Sequence, residues 1–521
     1  MSDFDFIVVG SGTGGSVVAN RLSENPASKV LVIEAGKDKR QLPADLEARV
    51  DNPSIWYTLL GSDVDWGYMS VPQAGLTTPG KPNEPRPTYE PRGKMTGGSS
   101  NLYIMMHIRG HESDYDNWAY NGCPGWAYKD CIEAFQKLEH QEDDTNPTAG
   151  RNGMQWVQNA KLHDPNPLSS TFIDACRELG YPGTDDFNGP NMEGAGWHHV
   201  NIKDGKRHPI ETAYLFPAME RPNLTVTTES QATRLLFEGK KCVGVEYVQN
   251  GETKTARATS EVIVCLGAIE SPKLLLNSGV GHPDQIKPFG KTMVADLPGV
   301  GENFHNHVLT GVIWECVDPV QPGKQNLSEA ALFCKSDPGW VGPDLQIGFV
   351  HVPFNIIVGQ NHPNSVSILP GVVRPLSRGW IRLASNNPLD KPLVNPNYLG
   401  CESDAVRLAQ ACRIARDIFN SKAFAGKLKE ERMPGPDYND DPQLLRFVRD
   451  TADSYHHQAG SCKMGSDSMA VVDPQLRVYG VEGLRIADAS VMPQVQSGNC
   501  HAGIAMIAER CSDFIKKQYG I

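Results

Sequence analysis

Three glycines near the start of the chain, Gly10, Gly12 and Gly15, stand in the spacing GxGxxG, and Glu34 follows 22 positions after Gly12. Each residue type suits one part of dinucleotide binding. Gly10 permits a tight turn, Gly12 lets backbone approach a pyrophosphate, and Gly15 lets a helix pack closely on a strand. The start of that helix offers free N–H groups and its positive dipole end to the phosphates. Glu34 can accept hydrogen bonds from the adenosine ribose hydroxyls. A glycine-rich turn without a ligand is the plain alternative. The flanking strand and helix and the acidic residue count against it, but the spacing alone does not separate FAD from NAD.

Histidines supply a second kind of chemistry. His305, His307, His456, His457 and His501 recur in the second half, and Asn499 precedes His501 by two positions. A neutral imidazole can take a hydroxyl proton near neutral pH. A neutral amide can orient an oxygen without competing for the proton. The histidines lack tight ligand spacing with carboxylates or thiolates, so no metal is expected.

These residues need elements to hold them. Phe4–Val9 reads as a short apolar strand, followed by the glycine turn and a helix to about Leu22. Lys29–Ile33 reads as a second buried strand ending at Glu34. Val262–Leu266 reads as a strand giving way to a helix near Ser271, Leu484–Ala487 as a strand ending at Asp488, and a final helix is expected from about Gly503 to Lys517. Short apolar strands with helical crossovers predict a parallel sheet covered on both faces. Polar, irregular stretches over 75–92 and about 143–167 predict surface connections.

Composition bounds the rest. Length alone predicts about three domains for 521 residues. The 49 basic and 61 acidic side chains leave a formal charge of −12, which argues against nucleic acid as a partner. No apolar run approaches the ~18 residues of a membrane span. The acidic N-terminus is unlike a signal peptide, and the 12 cysteines form no CxxC pair, so a reducing, cytoplasmic setting is expected.

Five separated blocks resemble the glucose–methanol–choline (GMC) oxidoreductase family, in family order. They are Gly93-Lys94-Met95-Thr96-Gly97-Gly98-Ser99-Ser100, continuing to Arg109-Gly110; Gly267–Gly281; Leu297–Asn303; His457–Gly465; and Asp488–Pro493. The resemblance implies FAD rather than NAD and oxidation of a CH–OH group. It implies cofactor contacts at Gly10, Gly12, Thr13, Gly15, Glu34, Ala35, Arg92, Gly97, Gly98, Ser99, Asn101, Leu102, Ala232, Gly267, Asp488 and Ala489. His457 aligns with the family's catalytic histidine and Asn499 with its second catalytic position. His456 is the rival to His457, and in an extended segment its side chain would point the opposite way.

Three departures stand out. Tyr103 occupies a position usually Asn, Thr96 replaces an apolar residue, and Leu102 stands where some relatives carry a histidine joined covalently to FAD, so noncovalent FAD is expected. Tyr103, Tyr455 and His456 are candidates for the substrate side. The expected fold is α/β, with a Rossmann-like FAD-binding domain over 1–165, 205–312 and 450–521. A substrate-binding domain of mixed or antiparallel sheet and helices is expected over 166–204 and 313–449. The expected reaction passes hydride from a small alcohol to flavin N5, with His457 as base, Asn499 orienting the hydroxyl, and O2 or another acceptor reoxidising the flavin. The alternative is a hydroxynitrile lyase with structural FAD.

Overall fold

The computed structural model describes residues 4–353 and 362–521. Strand β1 (Phe4–Val9), helix α1 (Thr13–Leu22) and strand β2 (Val30–Ile33) open the chain as expected. β3 (Leu224–Thr227), β4 (Glu252–Val264) and β5 (Leu484–Ile486) complete a parallel sheet in the order β3-β2-β1-β4-β5. β1 pairs with β2 and β4, and β4 with β5, so the first strand is central. Its inward run Phe6–Val9 is buried, as a strand covered on both faces must be.

β4 is longer than its apolar end reveals. Its polar first half turns into an antiparallel ribbon with Ser230–Glu238 and Lys241–Gln249. The following helix, α2 (Gly267–Asn277), begins four residues earlier than Ser271. The terminal helix, α3 (His501–Tyr519), begins two residues before Gly503 and packs against α1. Residues 75–92 are not a loose connection. Gln73–Thr78 and Lys81–Arg86 pair as a hairpin, and Glu90 beyond it is fully buried. The second irregular stretch contains a strand, Gln155–Asn159.

A second, antiparallel sheet stands over the first. Its main strands run in the order Leu428–Met433, Val312–Cys316, Ser365–Val372, Leu345–Val350, Ala330–Cys334 and Gly194–Trp197. Alternation gives its two faces different work. Leu345, Ile347, Phe349, Ala330 and Leu332 pack with the helices Pro167–Glu178, Glu402–Phe419 and Asp441–Thr451 in one apolar core. On the other face Phe333 joins Ile108 and Phe187 in a separate cluster, and Gln346 turns toward Asn499, just before the start of α3. The short strands Val308–Leu309 and Asp453–Ser454 pair with each other, and the former also with Ser365–Val372. The chain therefore crosses between the layers next to His307 and His457.

Candidate active site

The glycine turn, the end of β4 and the end of β5 open into one cleft of about 880 Å³, counting its mouth. Gly10, Gly12, Thr13, Glu34 and Ala35 line it from the first strand–helix–strand unit. Arg92, Gly98, Ser99, Ala232, Gly267, Asp488 and Ala489 line it from distant segments. The carboxyl ends of parallel strands are where doubly wound sheets bind ligands.

The glycines differ in what they do. Gly10 has φ +95°, a conformation suited to glycine, and a Cβ there would lie 2.6 Å from the carbonyl oxygen of Cys265. A Cβ on Gly15 would lie 1.8 Å from the Gly10 carbonyl oxygen, so this residue packs helix on strand and does not line the cleft. A Cβ on Gly12 would meet nothing within 4 Å. Gly12 also precedes α1 without a side-chain cap, leaving the helix's first N–H groups facing the cleft.

Glu34 is anchored before any ligand arrives. One carboxylate oxygen accepts from Ser11 N (2.9 Å) and Ser11 Oγ (2.7 Å), and the other from Gly36 N (2.8 Å). Burial pushes its pKa up, and those hydrogen bonds hold it down in part. Asp488 accepts from Gly267 N (2.9 Å), Ser271 Oγ (2.6 Å) and Ser490 N (2.8 Å), tying the start of α2 to the end of β5. The cleft also takes Trp66, Tyr68, Gln231, Glu270 and Ile504, which sequence reasoning missed. They come from connections and helix faces with no motif of their own.

With Gly15, three more expected cofactor residues lie behind the lining: Gly97, Asn101 and Leu102. Gly97 has φ +84° and closes a turn against Glu211, and Asn101 donates through Nδ2 to the Thr96 carbonyl (2.9 Å). Leu102 is buried with Leu42, Leu46 and Val64 in an apolar cluster. Tyr103 donates to Asn201 Oδ1 (2.7 Å), and its ring stacks on His501 with centroids 4.7 Å apart.

His457 and Asn499 come together. Asn499 Nδ2 lies 3.1 Å from His457 Nε2, and Gln346 Nε2 donates to Asn499 Oδ1 (3.2 Å). The Tyr455 ring stacks on the His457 ring at 4.9 Å and 17°. Burial, with His307, His456 and Arg92 nearby, drives the His457 pKa well below the ordinary histidine value. The ring is therefore neutral and holds a lone pair at pH 7.

His456 does not lie in an extended segment, contrary to the alternation argument. Its φ is +65°, and its Nδ1 turns back to Ser454 Oγ (3.1 Å). The local reversal, rather than strand alternation, separates the two neighbouring rings. Among the described residues no three His, Cys, Asp or Glu side chains converge as a metal site.

The GMC oxidoreductase family models match residues 4–309 and 375–508. The chain belongs to the GMC oxidoreductase family. It is an FAD-dependent oxidoreductase acting on CH–OH donors. It is 38% identical to mouse (Mus musculus) mitochondrial choline dehydrogenase, with 99% of this chain and 89% of that protein covered. It is 36% identical to the oxygen-dependent choline dehydrogenase of Brucella suis, with 98% and 95% covered. The crystal structure of pyridoxine 4-oxidase from Mesorbium loti superposes with a TM-score of 0.92 at 31% identity, covering 99% of each chain.

The residues present fit the family's cofactor. The cleft offers an uncapped helix start, open space over Gly12, a buried acceptor at Glu34, and Gln231 Nε2 in the cleft wall without a hydrogen-bond partner among the described residues. No described helix is long and apolar enough to cross a membrane.

Proposed function

We propose that the chain oxidises a primary or secondary alcohol to the carbonyl, with His457 as general base and Asn499 as the orienting group. FAD supplies the hydride acceptor. The substrate hydroxyl donates to His457 Nε2 and accepts from Asn499 Nδ2, replacing the 3.1 Å hydrogen bond between those atoms. His457 removes the hydroxyl proton, the carbinol C–H bond breaks with its electron pair leaving as hydride, and the C=O bond forms.

The single observation that carries this reading is the orientation of the two side chains. Gln346 Nε2 occupies Asn499 Oδ1, so the amide must present its N–H to the imidazole, and the imidazole must present a lone pair in return. Glu34 and the start of α1 would hold the adenosine ribose and the pyrophosphate, and Gln231 and Ala232 line the same cleft just after Ser230, whose N–H donates to the Glu34 carbonyl. The names of the relatives denote dehydrogenases and an oxidase, which supports redox chemistry over cyanohydrin cleavage, and both O2 and another acceptor remain compatible with them.

The test is anaerobic mixing of the holoenzyme with a panel of alcohols. A substrate should bleach the flavin and yield one carbonyl per flavin. Cyanide release from a cyanohydrin with the flavin remaining oxidised would refute the proposal.

A further inference from the structure

His307 has no place in the pair just described, yet it holds the other edge of the base. Its Nδ1 lies 2.9 Å from Nδ1 of His457, and the two rings meet edge to face at 5.0 Å and 86°. Two imidazole nitrogens at that distance share one proton, so one donates and the other accepts. Either choice propagates to the far edge of each neutral ring.

The surroundings select the tautomer. Asn499 faces Nε2 of His457 with an N–H group, because Gln346 Nε2 occupies Asn499 Oδ1. His457 must therefore carry its lone pair on Nε2 and its proton on Nδ1. That proton points at His307 Nδ1, which accepts it, so His307 carries its own proton on Nε2. Among the described residues that Nε2 has no hydrogen-bond partner that would require the opposite arrangement.

We propose that His307 is a positioning residue that holds His457 as its Nδ1–H tautomer, with Nε2 free to take the substrate's hydroxyl proton. This inference rests on the reading of His457 as base. When Nε2 gains that proton the ring becomes a cation, and the His307 Nδ1 lone pair then faces a cationic N–H donor. Such a charge-assisted hydrogen bond is stronger than the neutral one it replaces. The groups facing the pair electrostatically are His456 and Arg92 beside His457, and His305 beside His307. Of these only Arg92 is cationic near neutral pH, and it disfavours a further positive charge on the pair. Burial also keeps His307 itself neutral, its pKa pushed down to about 3, so the acceptor lone pair persists through the working pH range.

The geometry singles out an unusually discriminating pair of substitutions. The Oδ1 of an asparagine at 307 can occupy nearly the place of the imidazole Nδ1 and accept from His457, whereas leucine fills similar space and cannot accept. The FAD-loaded variants His307→Leu and His307→Asn would be compared with wild type by anaerobic stopped-flow reduction across pH, with FAD content measured on each. We expect His307→Leu to slow flavin reduction by ~10- to 100-fold, part of what a general base contributes, and to shift its pH profile. His307→Asn should recover most of the rate and the wild-type profile. Equal rates and profiles in the two variants would overturn the positioning role.

Neutron diffraction on wild-type holoenzyme crystals answers the same question even where His307→Leu fails to fold. Deuterium on His457 Nδ1 and none on His307 Nδ1 is the expected result, and the reverse occupancy overturns the inference. His457→Ala separates the two levels. If it reduces flavin normally, the base assignment itself fails; if it is slow while His307→Leu is normal, only the positioning role fails.

Discussion

Asn306 Oδ1 accepts a hydrogen bond from the backbone N–H of His457 at 2.8 Å, so a residue on the way into the antiparallel sheet fixes the main chain at the proposed base. The Asn306 amide nitrogen donates in turn to Tyr398 Oη (2.5 Å) and Ser454 Oγ (2.9 Å). Gln458, on the other side of His457, donates to buried Glu90 (2.5 Å) and accepts from Arg92 Nη1 (2.8 Å). The segment bearing the base is thereby held on both flanks.

Asn306→Ala should consequently impair both stability and catalysis. It strands buried donors and acceptors, each costing about 1–3 kcal/mol. The thermal midpoint should fall, and flavin reduction should slow while FAD remains bound. An unchanged reduction rate in a folded, FAD-loaded variant would remove Asn306 from the positioning of His457.

The proposed catalytic pair predicts unequal losses. His457→Ala should slow anaerobic flavin reduction by ~10²- to 10⁴-fold. Asn499→Ala should cost less, because the base survives. His456→Ala should cost least, since its ring turns to Ser454 rather than to Asn499. A larger loss in His456→Ala than in His457→Ala, at saturating alcohol, would reverse the assignment.

Two glycines three positions apart should fail in opposite ways. Gly12→Ala places a methyl where no protein atom lies within 4 Å. The apoprotein should fold with an unchanged thermal midpoint but bind FAD more weakly. Gly15→Ala places a methyl 1.8 Å from a backbone oxygen and should destabilise the fold itself. Calorimetry of the apoproteins and FAD titration separate the two effects.

Acid precipitation of wild type should release free FAD into the supernatant, because Leu102, buried in an apolar cluster, cannot form a covalent link. Yellow colour persisting in a washed, denatured pellet would contradict this.

The pH dependence of stability should have two arms. His198, His307, His351 and His501 are buried neutral, with pKa values pushed down by burial to about 3. Unfolding returns them to about 6.5. The unfolded state then binds more protons, so stability falls as pH drops below about 6.5. His199 behaves oppositely. Asp186 and Asp143 raise its pKa to about 10 against burial, so its contribution is complete below about 6.5 and fades as pH rises toward 10. Thermal midpoints from pH 5 to 9 test both arms, and His199→Gln should flatten the alkaline arm. An alkaline slope unchanged in that variant would rule out His199 as its source. The acid limb of flavin reduction should likewise lie below pH 6.5, because activity needs neutral His457 and its pKa is lowered.

The sequence by itself determined the dinucleotide unit and the family. GxGxxG, the strand before it and Glu34 lie within one local strand–helix–strand unit, where period and glycine spacing carry the geometry. The blocks around Gly98, Gly267, His457 and Asp488 are short runs that can be matched to the family residue by residue without knowledge of their neighbours in space. Tertiary structure alone decided the contacts between runs. His307 and His457 are 150 positions apart, and only the crossing of Val308–Leu309 beside Asp453–Ser454 brings their rings together. The turn at His456 depends on a positive φ at a residue type that gives no warning of it. Gln346 faces Asn499 because strand alternation sends its neighbours Leu345 and Ile347 into the opposite core. Hydrogen bonds of this kind depend on which side chains meet after two sheets have packed, and no local spacing along the chain records that meeting.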